Sequence, residues 1–124
     1  PGPYTFLLPA TKAVPKLVVN PKRRTTGIRV PNSPLCHALI DALDNPIIST
    51  SALSVVRNST EDDIEALSKA ELFDRIEKQV DVIVDSDTDL SYQVSTIIDL
   101  TSSSPQVVRQ GLGWQAAVEW GAVL

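Results

Sequence analysis

Short strand-forming runs that end at prolines mark the first part of the chain. Tyr4–Leu8 and Thr26–Val30 each stop at a proline, and this pattern predicts two strands. Prolines inside Lys12–Arg24 predict a loop between them, with at most one helical turn around Lys16–Val19. This part of the chain therefore predicts two strands joined by a long loop.

A helix with clear start and stop signals follows the second strand. Ser33 is suited to cap its amino end, Pro34 fits its first turn, and Asn45-Pro46 ends it. One face carries apolar residues at helical spacing, namely Leu35, Leu39, Ile40 and Leu43.

The second half of the chain predicts further helices and then strands in succession. Ser68–Glu71 is a capping box that begins a helix. Apolar residues continue from it at helical spacing, namely Leu72, Ile76 and Val80. An earlier helix is expected to begin at Ser59 or Thr60. Four further strands are predicted, at Ile47–Thr50, Val82–Val84, Ser95–Leu100 and Gln106–Arg109. Helices that alternate with strands, followed by consecutive strands, predict an α/β layered domain with a mixed sheet.

Length and composition exclude several classes of protein. The 124 residues fit one domain, and a hydrophobic content of 43% excludes a disordered chain. Apolar runs such as Leu17–Val19 are far shorter than the ~20 residues of a membrane helix, and no signal peptide is visible. The single Cys36 cannot form an internal disulfide, which favours a cytoplasmic location. Pro1–Pro3 runs directly into a strand, which favours truncation of a longer protein over processing or a tag scar.

Charge is distributed unevenly along the chain, although the net charge is only −4. The first 40 residues contain no acid and six bases, namely Lys12, Lys16, Lys22, Arg23, Arg24 and Arg29. All 15 acids lie in the remainder. A local basic block can hold phosphates even in an acidic protein. The triplet Lys22, Arg23 and Arg24 is therefore a candidate contact for RNA or phosphate, with a solvated loop as the alternative reading.

Two short motifs that could indicate a catalytic nucleophile or a phosphate-binding loop do not have the spacing that such sites need. Cys36 and His37 are adjacent on the predicted helix, so their side chains point about 100° apart. This favours a packed thiol and a surface imidazole over a catalytic pair. Gly111 and Gly113 do not form a phosphate loop and favour a turn.

One acidic segment resembles the start of a calcium-binding loop. Asp85–Asp89 has the alternating acids of such a loop, but Leu90 and Thr96 stand where the loop needs Gly and Glu. A solvated turn is the better interpretation, and no metal site is predicted.

Polar residues gather at the ends of predicted strands. Arg29 stands near the end of one strand, Ser51 closes another, Ser95 and Thr96 open a third, and Arg109 ends the last. Ligands of open α/β sheets collect at the carboxyl ends of the strands. Hydroxyls and guanidinium groups suit the oxygens of phosphate or carboxylate, although each residue alone is also common at a loop edge. Together they predict an anion-binding cleft with no side-chain nucleophile.

Six segments of the chain, taken in order, carry a resemblance to a known family. They are Pro1–Leu8, Thr26–Pro31, Pro46–Ser51, Lys78–Asp85, Ser95–Thr101 and Val108–Gly111. In this order they resemble the YrdC-like threonylcarbamoyl-adenylate synthases, and most of all the YciO branch. The resemblance implies an α/β fold with a mixed, twisted sheet, of which the chain would hold roughly the C-terminal two thirds. Residues 1–113 are expected to be a partial YrdC-like domain, and residues 114–124 a C-terminal tail.

The resemblance also implies an activity and its site. Such enzymes are nucleotidyltransferases that condense ATP, threonine and bicarbonate into threonylcarbamoyl-AMP, with Mg²⁺ on the phosphates, as the first step of the t6A modification of tRNA. Some are associated with double-stranded RNA. By position, the resemblance implies nucleotide contacts from Thr5, Arg29, Ser51 and Arg109, and threonine contacts from Ser95 and Thr96. Catalysis of this kind rests on positioning and electrostatic stabilisation.

Two departures from the family pattern leave two functions open. Leu53 stands where the synthases carry an Asn, and leucine cannot replace the donor and acceptor of an amide. The family's Lys-x-Arg motif lies upstream of the segment that matches Pro1–Pro3. The first hypothesis is a nucleotide-binding enzyme domain, of which this stretch alone is expected to show little or no catalysis. The second is an RNA-binding module without synthase activity. A partial domain is also expected to expose apolar surface, which favours a homo-oligomer.

Overall fold

A four-stranded mixed sheet organises the larger of two compact units in this structure, a computed structural model that describes residues 1–52 and 67–124. Its strands are β1 (Tyr4–Pro9), β2 (Thr25–Ile28), β3 (Thr96–Asp99) and β4 (Gln106–Arg109). The order in the sheet is β2-β1-β3-β4. β1 is antiparallel to β2 and parallel to β3, and β3 is antiparallel to β4. The predicted mixed α/β sheet is confirmed.

Two predicted strands are wrong. Ile47–Thr50 and Val82–Val84 adopt no regular secondary structure. Both segments are rich in β-branched residues, but a strand needs a neighbour to take its backbone hydrogen bonds. Neither segment pairs with a strand within residues 1–52 and 67–124. The helix predicted to begin near Ser59 or Thr60 lies outside the described residues.

Helix starts follow the capping signals in the sequence. α1 (Pro34–Leu43) begins after Ser33, whose hydroxyl accepts from the backbone N–H of Cys36 at 3.3 Å. It ends at Asp44, which adopts the left-handed conformation with φ 53°. The predicted helix is confirmed at both ends. The apolar face of α1 is half-exposed at Leu43.

The smaller unit, Ser49–Tyr92, contains a second helix and an acidic turn in its described part. α2 (Lys69–Ile76) starts with the predicted capping box, and a single 3-10 turn (Glu77–Gln79) follows it. Val80 therefore lies beyond the helix that its spacing predicted. The Lys69 ammonium group donates to the carbonyl of Ser86 at 2.7 Å and lies 2.8 Å from the Asp85 carboxylate. The Lys69 ammonium group thus binds the Asp85–Asp89 segment, which resembles the start of a calcium loop.

The core of the larger unit lies between the sheet and the end of the chain. α3 (Trp114–Glu119) places Ala117, which is 1% exposed, against Ile98 of β3. Partly buried Tyr4 and Phe6 of β1 pack around this pair, and the rings of Tyr4 and Trp120 lie 5.2 Å apart between centroids. After α3, Val123 pairs with the edge of β4, accepting from the backbone N–H of Val107 at 2.7 Å and donating to the Pro105 carbonyl at 2.9 Å. The tail, residues 114–124, therefore closes one face of the sheet.

The loop between β1 and β2 contains the single helical turn expected there. A 3-10 turn spans Lys16–Val18, within the predicted Lys16–Val19. The carboxamide oxygen of Asn20 accepts from the backbone N–H groups of Lys22 and Arg23, each at 3.0 Å. This turn returns the chain to β2.

Candidate anion-binding site

The sheet has a polar face opposite its core, and three of the candidate residues, Thr5, Ser95 and Arg109, lie there. Side chains alternate along each strand, so the neighbours of core-facing Phe6 and Ile98 point the other way. In the register of the sheet, Thr5 is beside Ile97, and Ile97 is beside Arg109. Ser95, which precedes β3, has the same parity as Ile97. This polar face therefore brings together residues from both ends of the sequence.

Thr5, Ser95 and Arg109 form a cluster on the polar face, which we call the hydroxyl–arginine cluster. The hydroxyl oxygens of Thr5 and Ser95 are 2.9 Å apart, within hydrogen-bond distance. Arg109 donates from Nε and Nη2 to the Ser95 carbonyl at 3.0 and 2.8 Å, and Nη2 also donates to Ser95 Oγ at 3.0 Å. A guanidinium group only donates, so Ser95 Oγ accepts from it. The arrangement holds two hydroxyls next to one fixed positive charge.

A close backbone approach holds this cluster together. A Cβ placed on Gly111 would lie 2.4 Å from the Val94 carbonyl oxygen and 2.6 Å from both the carbonyl carbon and oxygen of Ser95. Only glycine permits this contact, which brings the segment after β4 against the segment before β3. The backbone N–H of Leu112 donates to the Val94 carbonyl at 2.9 Å and seals the contact. This contact places Arg109, two residues before Gly111, within hydrogen-bond distance of Ser95.

Thr96 lies on the other face and has a structural environment. Its side chain is fully buried, and its hydroxyl donates to the Leu112 carbonyl at 2.8 Å and accepts from the Gly111 backbone N–H at 3.1 Å. Both hydrogen-bonding functions of the hydroxyl are satisfied inside the protein. The expected contact between Thr96 and threonine stays a prediction.

The candidate residues of the cluster lie at both kinds of strand end. Ser95 directly precedes β3 and Arg109 ends β4, as predicted, and Thr5 lies near the amino end of β1. β3 and β4 are antiparallel, and antiparallel neighbours bring opposite strand ends to one edge of the sheet. The amino ends of β1 and β3 therefore meet the carboxyl end of β4.

Arg29 stands directly after β2, at the same edge of the sheet. The register pairs Phe6 with Ile28, so its continuation brings Arg29 opposite Thr5. Arg29 is exposed. The sheet thus places a second guanidinium group on the strand that flanks the hydroxyl–arginine cluster.

Asp99 is the acidic residue of β3 on the polar face. Hydrogen bonds from the Thr101 hydroxyl at 2.6 Å and from the Thr101 backbone N–H at 2.8 Å hold the pKa of Asp99 below its usual value. Arg23 adds a smaller effect, with Nη1 3.9 Å from the carboxylate. One member of the basic triplet therefore faces an internal acid, while the side chain of Lys22 has no ion pair within the part of the chain described.

Three other residues singled out in the sequence are Ser51, Leu53 and His37. Ser51 is exposed and belongs to the smaller unit, so its predicted nucleotide contact stays a prediction. Leu53 lies outside the described residues. His37 Nε2 lies 2.7 Å from the Pro31 carbonyl and takes a local structural hydrogen bond beside Cys36.

Neither metal ligation nor membrane insertion is indicated in the described ranges. Residues 1–52 and 67–124 contain no group of three His, Cys, Asp or Glu residues placed to hold a metal ion. Over the same ranges, each helix is too short or too polar to cross a bilayer.

Comparison with known proteins decides the family. The Sua5/YciO/YrdC family, described as "Telomere recombination", matches residues 1–111 of the chain. The chain belongs to this family. The resemblance noted in the sequence is confirmed, and the family match ends just before the tail.

Relatives within the Sua5/YciO/YrdC family show how similar the chain is to known members and how much of their length it covers. "Uncharacterized protein YciO" of Escherichia coli K12 is 45% identical over 113 residues, which are 91% of this chain and 52% of that protein. "Threonylcarbamoyl-AMP synthase" of Vibrio vulnificus YJ016 is 30% identical over 111 residues, covering 90% and 55%. The crystal structure of E. coli YciO is similar with a TM-score of 0.75 and 44% identity, over 91% of this chain and 52% of that one. The chain thus spans about half the length of the curated relatives it matches, less than the two thirds expected.

Sequence reasoning missed the close backbone approach at Gly111 and the helix α3. Gly111 was read as part of a turn, although its place two residues after Arg109 signals a close approach. The helix α3 was not predicted, although Trp114, Ala117 and Val118 recur at helical spacing. Gly113, in the left-handed conformation with φ 73°, begins that helix.

Proposed function

We propose that this chain is the nucleotide-binding part of a protein related to threonylcarbamoyl-AMP synthesis. The substrates of that reaction would be ATP, threonine and bicarbonate, and the product would serve the t6A modification of tRNA in the cytoplasm. The hydroxyl–arginine cluster carries the proposal, because it joins Thr5 and Ser95, 90 residues apart, to a fixed guanidinium group. Membership of a family that includes a threonylcarbamoyl-AMP synthase at 30% identity supports it.

Each residue of the cluster has a distinct chemical task in this proposal. Arg109 and Arg29 offset the negative charge of the phosphates, for which a planar, permanently charged fork is suited. Thr5 and Ser95 share one hydrogen bond between their hydroxyls, which leaves one hydroxyl proton of the pair to donate to a nucleotide or threonine oxygen. Catalysis would come from holding the reactants in place and from stabilising charge, since no nucleophile is required of the protein.

Mg²⁺ is expected to arrive with the phosphates of ATP. Asp99 lies on β3, the strand that follows Ser95, and Thr101 donates two hydrogen bonds to its carboxylate. The described residues thus hold no ready set of carboxylates for the ion. When bound, Mg²⁺ would neutralise phosphate charge; the chain's own part is to orient the phosphates with Arg29 and Arg109.

An RNA-binding module without synthase activity remains the second candidate. The absence of acids from the first 40 residues favours it, because counterion release drives binding to a phosphate backbone. It assigns the contacts to Lys22, Arg23 and Arg24. Charge reversal at these three positions is expected to weaken RNA binding, and unchanged affinity would remove this candidate.

Two measurements test the nucleotide proposal. The intact mass of the native gene product comes first, because it tells which length of chain to study. Calorimetric titration of that product with ATP and Mg²⁺ follows, for the parent and for the Ser95→Ala variant. Loss of a hydrogen bond to a charged group costs about 1.5–3 kcal/mol, so affinity should fall roughly 10- to 100-fold.

A matched control separates this effect from a general loss of hydroxyls. Ser103→Ala changes an exposed serine in the turn between β3 and β4 and should leave ATP binding unchanged. No heat of ATP binding in the parent, or equal affinity of parent and Ser95→Ala, would contradict the proposal.

A further inference from the structure

A cavity of about 440 Å³ lies inside the loop that joins β1 to β2. Its wall consists of Ala10, Thr11, Lys12, Val14, Lys16, Val19, Pro21 and Arg24. Three of these eight residues are cationic and none is acidic. Since the loop stands apart from Thr5, Ser95 and Arg109, the cavity is separate from the hydroxyl–arginine cluster.

Backbone hydrogen bonds fix the loop around this cavity. Arg24 accepts at its carbonyl from the Ala10 N–H at 2.8 Å and donates its own N–H to the Asn20 carbonyl at 2.8 Å. The Asn20 N–H donates to the Thr25 carbonyl at 2.8 Å. Arg24 is also held at φ 53°, a conformation that non-glycine residues seldom adopt. The two ends of the loop are thus joined, and Arg24 is held at the wall of the cavity.

Within residues 1–52 and 67–124, no carboxylate pairs with the positive charges at the cavity. The ion pairs of the described ranges join Arg23 to Asp99 and Lys69 to Asp85, and they leave Lys12, Lys16 and Arg24 out. Every residue from 1 to 40 lacks a carboxylate side chain. Like charges that share one concave surface repel each other, and an anion bound between them removes that repulsion.

We propose that this cavity binds a phosphate group through Lys12, Lys16 and Arg24. The Arg24 guanidinium offers a planar fork for two phosphate oxygens, and each lysine adds an ammonium donor. Val14 and Val19 form an apolar wall that lowers the local dielectric and strengthens these contacts. The phosphate belongs either to a free anion or to an RNA backbone, since both present the same oxygens. The proposal does not rest on nucleotide binding by the hydroxyl–arginine cluster.

An NMR titration locates the site directly. The ¹⁵N-labelled chain, of 13.4 kDa, is titrated with inorganic phosphate and, separately, with a twelve-nucleotide oligouridylate. We expect saturable shifts of the backbone amides of residues 10–24. Shifts confined to the amides around Ser95 and Arg109, or shifts that do not saturate, would overturn the proposal.

Charge-removing variants provide the test and its control. The triple variant Lys12→Gln, Lys16→Gln and Arg24→Gln removes the three charges at exposed positions, so the fold is expected to persist. It should weaken phosphate binding at least tenfold, whereas Lys78→Gln, which changes an exposed lysine of the smaller unit, should change it less than twofold. Equal losses in both variants would show nonspecific attraction and overturn the assignment.

The two titrants distinguish the sources of the phosphate. If RNA is the source, oligouridylate binds more tightly than inorganic phosphate, and the logarithm of its affinity falls with the logarithm of salt concentration with a slope of about −2 for three neutralised charges. If the source is a free anion, inorganic phosphate saturates the same amides and oligouridylate does not compete for them. The shifts of residues 10–24 are also followed in Ser95→Ala, and their persistence there, whatever the affinity of that variant for ATP, separates this site from the proposed nucleotide function.

Discussion

Replacement of Gly111 by alanine tests the packing that builds the hydroxyl–arginine cluster. The new Cβ would meet the backbone of Val94 at 2.4 Å and of Ser95 at 2.6 Å, and backbone atoms cannot rotate away as a side chain can. Relief therefore requires the segment after β4 to move away from β3. Such overpacking costs about 1–3 kcal/mol.

The same movement stretches hydrogen bonds at the contact. The Gly111 N–H bond to the Thr96 hydroxyl and the Leu112 N–H bond to the Val94 carbonyl are both at risk. A lost hydrogen bond contributes about 1 kcal/mol, and more where a buried group is left without a partner. The expected loss in the free energy of unfolding is therefore about 2–5 kcal/mol, a large share of the roughly 5–15 kcal/mol typical of a domain.

Urea denaturation followed by tryptophan fluorescence measures this loss. Trp114 and Trp120 are the two tryptophans of the chain, and both lie in the larger unit. For a slope of about 1.5 kcal/mol per M, the midpoint should fall by roughly 1–3 M. Gly27→Ala is the matched control, because its Cβ would meet Thr5 Cγ2 at 3.4 Å, an ordinary contact. If Gly111→Ala is no less stable than Gly27→Ala, the close approach does not hold the cluster as described.

Three further predictions follow from the same unit. Thr96→Val keeps the shape of the buried side chain but leaves the Gly111 N–H and the Leu112 carbonyl unpaired, so unfolding by urea should show a loss of about 1–3 kcal/mol. Because Thr101 lowers the pKa of Asp99 in the folded state, the unfolded chain takes up the proton first. The stabilisation is present above the ordinary pKa of about 3.9 and is lost as pH falls through the lowered value, so Asp99→Asn should flatten the acid limb of a stability–pH profile. Removal of the tail uncovers the core face of the sheet, and the dye ANS should then bind with increased fluorescence; unchanged fluorescence would show that the tail is dispensable for the core.

Capping residues in the sequence predicted the helix starts correctly, because a cap depends only on hydrogen bonds within one helical turn. Ser33 with Pro34, and Ser68 with Glu71, fix helix starts through hydrogen bonds within one turn, so α1 and α2 begin where predicted. β1, β3 and β4 were found because their runs are apolar and bounded.

Pairing and close approach depended on distant partners and were harder to predict. Ile47–Thr50 has the composition of a strand, but composition does not tell whether a partner edge is present. The candidates Thr5, Ser95 and Arg109 lie together in the structure, and their roles in binding stay a prediction. The resemblance to the family, more than any local pattern, brought Thr5 into the set. Their mutual hydrogen bonds follow from the sheet order, which no run of residues specifies.

The central pairing of β1 with β3 also sets an order of events during folding. β1 and β2 are near neighbours in sequence and can form a hairpin early, whereas Thr5 and Ser95 are separated by 90 residues. Closing a loop of that length costs about 4 kcal/mol of chain entropy, beyond a constant term, before any contact offsets it. On the ribosome, β1 cannot pair with β3 until the chain has grown by about 90 more residues. The hydroxyl–arginine cluster therefore forms after the β1–β2 hairpin, and slow synthesis of the segment between β2 and β3 leaves an incomplete sheet exposed for longer.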